Sequence, residues 1–421
     1  MPLHRKIFIG MVAGIAGGLL AKALWTDTGS LQAFVRNVTY PAGRIFMQLI
    51  FMVVIPLIFS ALVLGVAELG DLRRLGRVGA RTLGFTLILS AISVVIGVAL
   101  VGMVQPGVGL SDAEKAQLLD VLGKSAEQVK RPPPVQGEEL LRKLIPENPL
   151  KSMVDAFSGE MLAVMIFSLF IGIAATMCPP RVVEPLLTVL RSVYEIVMQI
   201  IGLAMKLAPF GVACLLFSLT ARFGLELLGR LGWYVVTVLA GLALHQFGVY
   251  SLVLRCVVGY SPMKFFRRIR EVMVTAFSTS SGNATLPVTM RVAEEELGVP
   301  RQIGAFVLTV GSTVNQNGTA LFEGITVLFL AQFFGVDLTL GAQFTVVAMS
   351  ILAGVGTAGV PGGSLPMVGA LMVSIGVPWE GLGIILGVDR LLDMSRTVLN
   401  VTGDIVAAAY VAKAEGHQLR E

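Results

Sequence analysis

Eight apolar runs decide what this chain can fold into. They lie at roughly 7–24, 41–68, 83–104, 156–177, 190–219, 232–254, 302–333 and 380–411, and each can cover the ~20 residues that a helix needs to cross a bilayer. Inside hydrocarbon a backbone must satisfy its own hydrogen bonds, which a helix does within one segment. The expectation is therefore an all-α polytopic membrane protein. Composition agrees: 55% of the residues are hydrophobic and 14% charged, with a mean hydropathy of +0.81, whereas a soluble chain of 421 residues needs far more polar surface. The first run follows Met-Pro-Leu-His-Arg-Lys and precedes many others, so it reads as a first span and not as a cleaved signal peptide. The formal net charge of +5 fits basic cytoplasmic loops and gives no reason to invoke nucleic acid. Cys178, Cys214 and Cys256, like His4, His245 and His417, are too scattered for a disulfide framework or a metal cluster.

Two segments break the pattern of full spans. One is 261–296, centred on STSSGNATLPVTM, and the other is 338–378, centred on GVGTAGVPGGSLPMV. In each, two apolar arms of about fifteen residues meet at a tip of Ser, Thr, Gly and Pro, and arms that short cannot cross a ~30 Å core. Irregular backbone at membrane depth is tolerated only where protein or a watery cavity satisfies it. Both segments are read as re-entrant helical hairpins. Their tips resemble each other, with Thr285-Leu286-Pro287 in one and Ser364-Leu365-Pro366 in the other, and paired broken segments point to a transporter site built from inverted repeats. The competing reading is that small residues at the tips merely allow close helix packing.

Basic residues orient the chain. Arg5 and Lys6, then Arg73, Arg74, Arg77 and Arg81, then Lys264, Arg267, Arg268 and Arg270 all face the cytoplasm if there are eight spans and neither hairpin crosses. That count puts both termini in the cytoplasm and the protein in the cell's inner (plasma) membrane. The polar segment 105–150, with KRPPP at 130–134, falls outside as a long loop, expected to be poorly ordered and away from the transport site.

The last run contains GVDRLLDMSRTVLNVTGD, beginning at Gly387. At about 100° per residue, Asp389, Asp393, Arg396, Asn400 and Asp404 fall within an arc of about 80°, and Thr397 widens it to about 100°; Arg390 is read as pointing elsewhere. A charge at mid-span costs about 2.5–3.5 kcal/mol on insertion scales, so this face must meet protein, water or a ligand. An internal network of salt bridges is one explanation. The mixture of separated carboxylates, a guanidinium, an amide and a hydroxyl favours another. An Arg fork grips a carboxylate in two places, and an Asp one turn away holds an ammonium, a pair complementary to an amino acid with a second carboxylate.

A second polar cluster interrupts the seventh run at GSTVNQNGTALFEG. Asn315, Gln316, Asn317, Gly318 and Thr319 make a poor helix interior, so local unwinding is expected, with carbonyls and amide oxygens suited to a small cation. Glu323 is a lone acid in an apolar stretch, either a shielded hydrogen-bonding group or a candidate proton carrier.

These motifs identify the sequence as a member of the dicarboxylate/amino acid:cation symporter family, the glutamate transporter family, of prokaryotic type. The serine-rich first tip, the NQNGT block in place of the family's NMDGT, the GTAGVPGG second tip and DRLLDMSRTVLNVTGD carry the resemblance, which covers nearly the whole chain. It implies a homotrimer in the lipid membrane. Each protomer would have a scaffold (1–82 and 151–229) and a mobile transport domain (83–104 and 230–421) that moves like an elevator, with the second hairpin as gate.

By resemblance, Asp393 holds the substrate ammonium, Arg396 its side-chain carboxylate, and Thr397, Asn400 and Thr319 make further substrate contacts. Backbone from Ser280, Ser281 and the tip around Val360 and Gly362 completes the pocket. Gly311, Asn315, Asn400 and Asp404 match one sodium site. A second family site uses the Asp of NMDGT and a Thr-Ser pair. Here these are Asn317 and Leu89-Ser90, so that site is expected to be empty. Gln316 stands for the Met of a third site. Glu323 matches an acid that resembles the proton carrier of eukaryotic relatives.

The resemblance thus implies a secondary active symporter for aspartate or glutamate, needing no cofactor, coupled to H+ and/or fewer Na+ than typical relatives. Alternatives are a C4-dicarboxylate:cation symporter of the same family and an anion channel. An intramembrane hydrolase would have to pair Ser280 or Ser281 with His245, which has no flanking motif.

Overall fold

A computed structural model describes residues 3–72, 77–109, 145–156, 160–356 and 363–420. All regular structure among them is helical. The chain opens with α1 (Leu3–Leu24), α2 (Thr28–Phe34), a π-helical turn at Val35–Thr39, and α3 (Tyr40–Phe51). There follow α4 (Val54–Leu72), α5 (Arg77–Val104), the short α6 (Pro149–Val154), α7 (Met161–Met177) and α8 (Pro180–Phe223). Next, α9 (Leu225–Ala243) runs through π-helical turns at Leu244–Val249 and Leu254–Val258 that flank α10 (Tyr250–Val253).

Among the described residues, six stretches are long and apolar enough to cross a membrane: Arg5–Leu24, Thr28–Ala67, Arg77–Val104, Pro180–Phe223, Leu228–Val258 and Arg301–Phe334. They coincide with six of the eight apolar runs. The fourth run forms only the 17 residues of α7, at the lower limit for a span of ~17–25. The last forms α18 (Leu382–Ala414), 33 residues long but interrupted by the charges at 389–404. Two helices outrun their apolar sequence. The second span starts at Thr28, where the Asp27 carboxylate accepts the Gly29 N–H at 2.9 Å, and α8 extends to 44 residues. Intrahelical hydrogen bonds do not need apolar side chains, so hydropathy marks the lipid-depth part of a helix and not its ends.

Close backbone approach explains the first helix pairing. Gly10 and Gly14 of α1 lie directly against the carbonyl oxygens of Pro209 and Ala213 on α8, where a methyl group would collide. This is the small-residue spacing that membrane helices use to pack. Besides α1, α3 and α4 pack on α8, and α7 packs on α4. A second group surrounds α18: α9, α12 (Arg270–Thr279), α13 (Gly282–Glu295), α14 (Arg301–Val314) and α15 (Asn317–Phe334) pack on it, and α5 packs on α15. Nearly every residue of α15 is buried.

The segment 261–296 enters through α11 (Pro262–Arg268) and then forms a helix–turn–helix. Its arms α12 and α13 have 10 and 14 residues, about 15 and 21 Å at 1.5 Å per residue, too short to cross. They meet at Ser280, which takes the left-handed conformation at φ 52°. Ser281 caps α13 by accepting the Ala284 N–H at 3.2 Å. In the second such segment, α16 (Leu340–Gly356) and α17 (Leu365–Ser374) flank a tip that includes Val360 and Gly362, which lie outside the described residues. So does 110–144, most of the expected outer loop.

One end of the molecule is laced together. Arg81 on α5 donates to the Ala414 carbonyl and to the Glu415 carboxylate, each at 2.6 Å. Arg268 donates to the carbonyls of Glu296 and Arg420 at 2.8 and 2.7 Å, and the Arg420 N–H donates to Leu297 at 2.9 Å. Members of the second and third basic clusters thus lie at the same end as the C-terminal residues.

Candidate substrate and cation site

The polar face of α18 is buried: Asp389, Asp393, Arg396, Thr397, Asn400 and Asp404 are each at most 6% exposed. Arg396 donates from Nε and Nη2 to Asp393 Oδ1 at 3.1 and 2.7 Å. Its Nη1 lies 3.7 Å from Asp389 Oδ1 and has no hydrogen-bond partner among the described residues. The Phe322 ring, from α15, lies 4.3 Å from the guanidinium carbon, a cation–π contact worth about 2 kcal/mol or more when desolvated. A planar cation is thus held on an aromatic face with one fork nitrogen left for an incoming acceptor.

Arg390 is not turned away from this cluster as the helical wheel suggested. Its Nη1 reaches to 3.4 Å from Asp393 Oδ2. On that wheel Arg390 is only about 20° beyond Thr397, and a long guanidinium side chain spans that offset.

The expected break in the seventh span is present. Asn315 and Gln316 leave helical geometry, at φ/ψ −87/70° and −103/48°, between α14 and α15. Asn400 fastens this break to α18. Its Oδ1 accepts the Gly318 and Thr319 N–H groups at 2.7 and 3.4 Å. Its Nδ2 donates to Gln316 Oε1 and Thr319 Oγ1 at 2.5 and 3.0 Å. Gly318 must be Gly here, because a Cβ would sit 2.6 Å from the Arg396 carbonyl oxygen.

Of the residues matched to a sodium site, three converge. Asn315 Nδ2 donates to Asp404 Oδ1 at 3.0 Å, Asp404 lies against Gly311, and Asn315 Oδ1 is buried without a hydrogen-bond partner among the described residues. The fourth, Asn400, is engaged with the backbone amides of the break. At the position of the second site, Asn317 is fully engaged: its Oδ1 accepts Ser90 Oγ–H at 2.6 Å, its Nδ2 donates to Tyr250 Oη at 3.0 Å, and its carbonyl accepts Ser93 Oγ–H at 2.9 Å. Among the described residues no cluster of three or more His, Cys, Asp or Glu side chains is placed to hold a metal.

The first hairpin tip reaches this region through Gly282, whose Cβ position lies 3.8 Å from the Ser312 carbonyl and 4.0 Å from Val401. Ser280 is buried with its hydroxyl unpartnered among the described residues. From the second hairpin, Gly354 lies against Ala320 and Gln316. Glu323 is fully buried on α15, one turn past Thr319 and adjacent to Phe322. His245 does not meet Ser280 or Ser281. It packs edge-on to Tyr250 with ring centroids 4.8 Å apart, and neither of its ring nitrogens makes a hydrogen bond among the described residues, so the bond that the hydrolase pairing needs is not formed.

Phe322, Tyr250 and Ser93 are contributors that sequence reading missed. Phe322 was legible only as another apolar residue, and Tyr250 and Ser93 lie on segments distant in sequence from the residues they contact.

With this geometry in place, comparison with known proteins assigns the chain. Residues 3–414 match the Sodium:dicarboxylate symporter family. The chain belongs to that family. It is 34% identical over 416 residues, 98% of this chain and 93% of the relative, to the "Proton/sodium-glutamate symport protein" of Bacillus subtilis. It is 34% identical over 417 residues, again 98% and 93%, to the "Proton/glutamate-aspartate symporter" of Escherichia coli. A "C4-dicarboxylate transport protein" of Bacillus subtilis is 28% identical over 419 residues, 99% and 95% of the two chains. The protein is therefore a multi-pass membrane transporter and not an enzyme.

Proposed function

We propose that this transporter is a secondary active symporter importing an acidic amino acid, aspartate or glutamate, together with cations. The observation that carries the reading is the buried Arg396–Asp393 pair. A guanidinium whose Nη1 makes no hydrogen bond among the described residues, only a 3.7 Å ion pair with Asp389, beside a carboxylate offers separate anchors for a substrate carboxylate and a substrate ammonium. Two relatives at 34% identity bear names for glutamate or glutamate–aspartate symport. Arg396 and Asp393 pair with each other, and the proposed substrate replaces that internal pair with two external ones.

Coupling is to protons and/or to fewer sodium ions than in typical relatives, with Gly311, Asn315, Asn400 and Asp404 as the sodium position. Asn317 supports this: its carboxamide is bonded at both ends, offering a cation neither a charge nor a free carboxylate oxygen. Glu323, buried beside the Arg396–Phe322 contact, is the proton carrier. The two packing groups, around α8 and around α18, support a division into scaffold and elevator-like transport domain. We extend the reading to a homotrimer in the plasma membrane with both termini in the cytoplasm.

The test is labelled aspartate uptake into proteoliposomes with proton and sodium gradients imposed separately. Accumulation driven by a proton gradient in sodium-free buffer is expected. Accumulation only with inward sodium refutes the proton reading, and no concentrative aspartate uptake under either gradient refutes aspartate as the substrate.

A further inference from the structure

Arg390 lies outside the pair that the proposed function uses, yet it touches it. Asp393 sits between two guanidinium groups: Arg396 holds Oδ1 through Nε and Nη2, and Arg390 Nη1 faces Oδ2 at 3.4 Å. The two arginines differ in environment. The Arg396 side chain is 3% exposed and that of Arg390 22%, so Arg390 keeps part of its hydration. Its Nε is buried without a hydrogen-bond partner among the described residues. Asp389, Arg390, Asp393 and Arg396 together carry two charges of each sign.

Substrate binding, on the proposed reading, draws the Arg396 fork toward a substrate carboxylate and off Asp393 Oδ1. An amino acid replaces the lost partner with its own ammonium. A C4-dicarboxylate has no ammonium, so it leaves Asp393 buried with one oxygen released, and an unpaired buried carboxylate is strongly disfavoured. Arg390 is the cation already within reach of the other oxygen. We infer that Arg390 is a specificity-determining positioning residue: a standing counter-ion for Asp393 that opens this amino acid site to C4-dicarboxylates as well. The inference rests on the assignment of Asp393 and Arg396 as substrate anchors.

The experiment measures binding of labelled aspartate to the purified full-length protein, with unlabelled succinate as competitor, at fixed pH and sodium. Wild type, R390Q, R390M and R390K are compared. Wild-type protein should bind aspartate and release it to succinate. In R390Q and R390M, two neutral side chains of different polarity, aspartate affinity should fall a few-fold and succinate affinity at least tenfold further. R390K should recover most of the succinate affinity. A wild-type protein that binds aspartate but ignores succinate overturns the inference and leaves the anchor assignment standing. So does an equal loss of both ligands in the neutral variants, which is what a merely structural role would give. A wild-type protein that binds neither ligand overturns the anchor assignment itself.

Discussion

Replacing Asp393 with Asn tests the ammonium anchor most directly. The carboxylate accepts two hydrogen bonds from Arg396, at 3.1 and 2.7 Å. Asn keeps the shape and one acceptor oxygen but removes the charge. A hydrogen bond to a charged group is worth about 1.5–3 kcal/mol, and every 1.4 kcal/mol is a factor of ten. Aspartate should therefore bind at least tenfold, and up to about 150-fold, more weakly. Removing one partner of a buried pair can cost about 3–5 kcal/mol of stability. Here that is an upper bound, because Asp389 Oδ1 at 3.7 Å and the Phe322 ring at 4.3 Å still attend Arg396. The variant should remain folded with a lowered thermal midpoint. Calorimetric titration of the detergent-purified protein with aspartate and with succinate provides the assay. Succinate has no ammonium to lose, so its affinity should hold or rise. Wild-type aspartate affinity in D393N, or an equal loss of both ligands, refutes the assigned role.

Arg396→Cys should lose acidic substrates and gain small neutral ones such as serine; a continued preference for aspartate in competition uptake refutes its role as the carboxylate fork. Glu323→Gln should remove the pH dependence of net uptake while leaving substrate exchange intact, and unchanged proton-driven uptake in proteoliposomes refutes the carrier role. Asn317→Asp places a charge at a fully buried position and withdraws the N–H given to Tyr250, so sodium should raise the thermal midpoint more than in wild type; equal sodium shifts refute the account of that position. Gly318→Ala drives a methyl group to 2.6 Å from the Arg396 carbonyl and 3.0 Å from Asn400 Oδ1, costing about 1–3 kcal/mol as overpacking; a thermal midpoint and aspartate affinity equal to wild type refute the tight apposition of the break and α18.

Much of the site is legible because its signals are local. The helical period alone collects Asp389, Asp393, Arg396, Asn400 and Asp404 on one face of α18, and the tertiary structure buries that face. Asn315 through Thr319 foretell the break between α14 and α15, since Asn, Gly and Thr are weak helix formers, but it is narrower than that block: only Asn315 and Gln316 leave the helix, and Asn317, Gly318 and Thr319 already begin α15. The wheel erred at Arg390 because it locates a Cα direction and not the reach of a flexible side chain. Hydropathy likewise misses the true starts of the second span and of α8, where helical hydrogen bonding continues into polar sequence.

By itself, then, the sequence determined a membrane-embedded helical chain, two segments whose helices are broken at small polar residues, and a charged face beside an unwound segment. All of these follow from hydrophobicity and periodicity within a few turns of chain. Only the tertiary structure decided which polar atoms meet. Ser93 and Tyr250 stand 224 and 67 residues from Asn317, and nothing in their spacing pairs them. The docking of α5 and α10 beside α15 brings those groups within hydrogen-bonding distance, just as the packing of α15 on α18 lays the Phe322 ring against Arg396. Such partnerships depend on helix register and rotamer, which are fixed only when the helices pack.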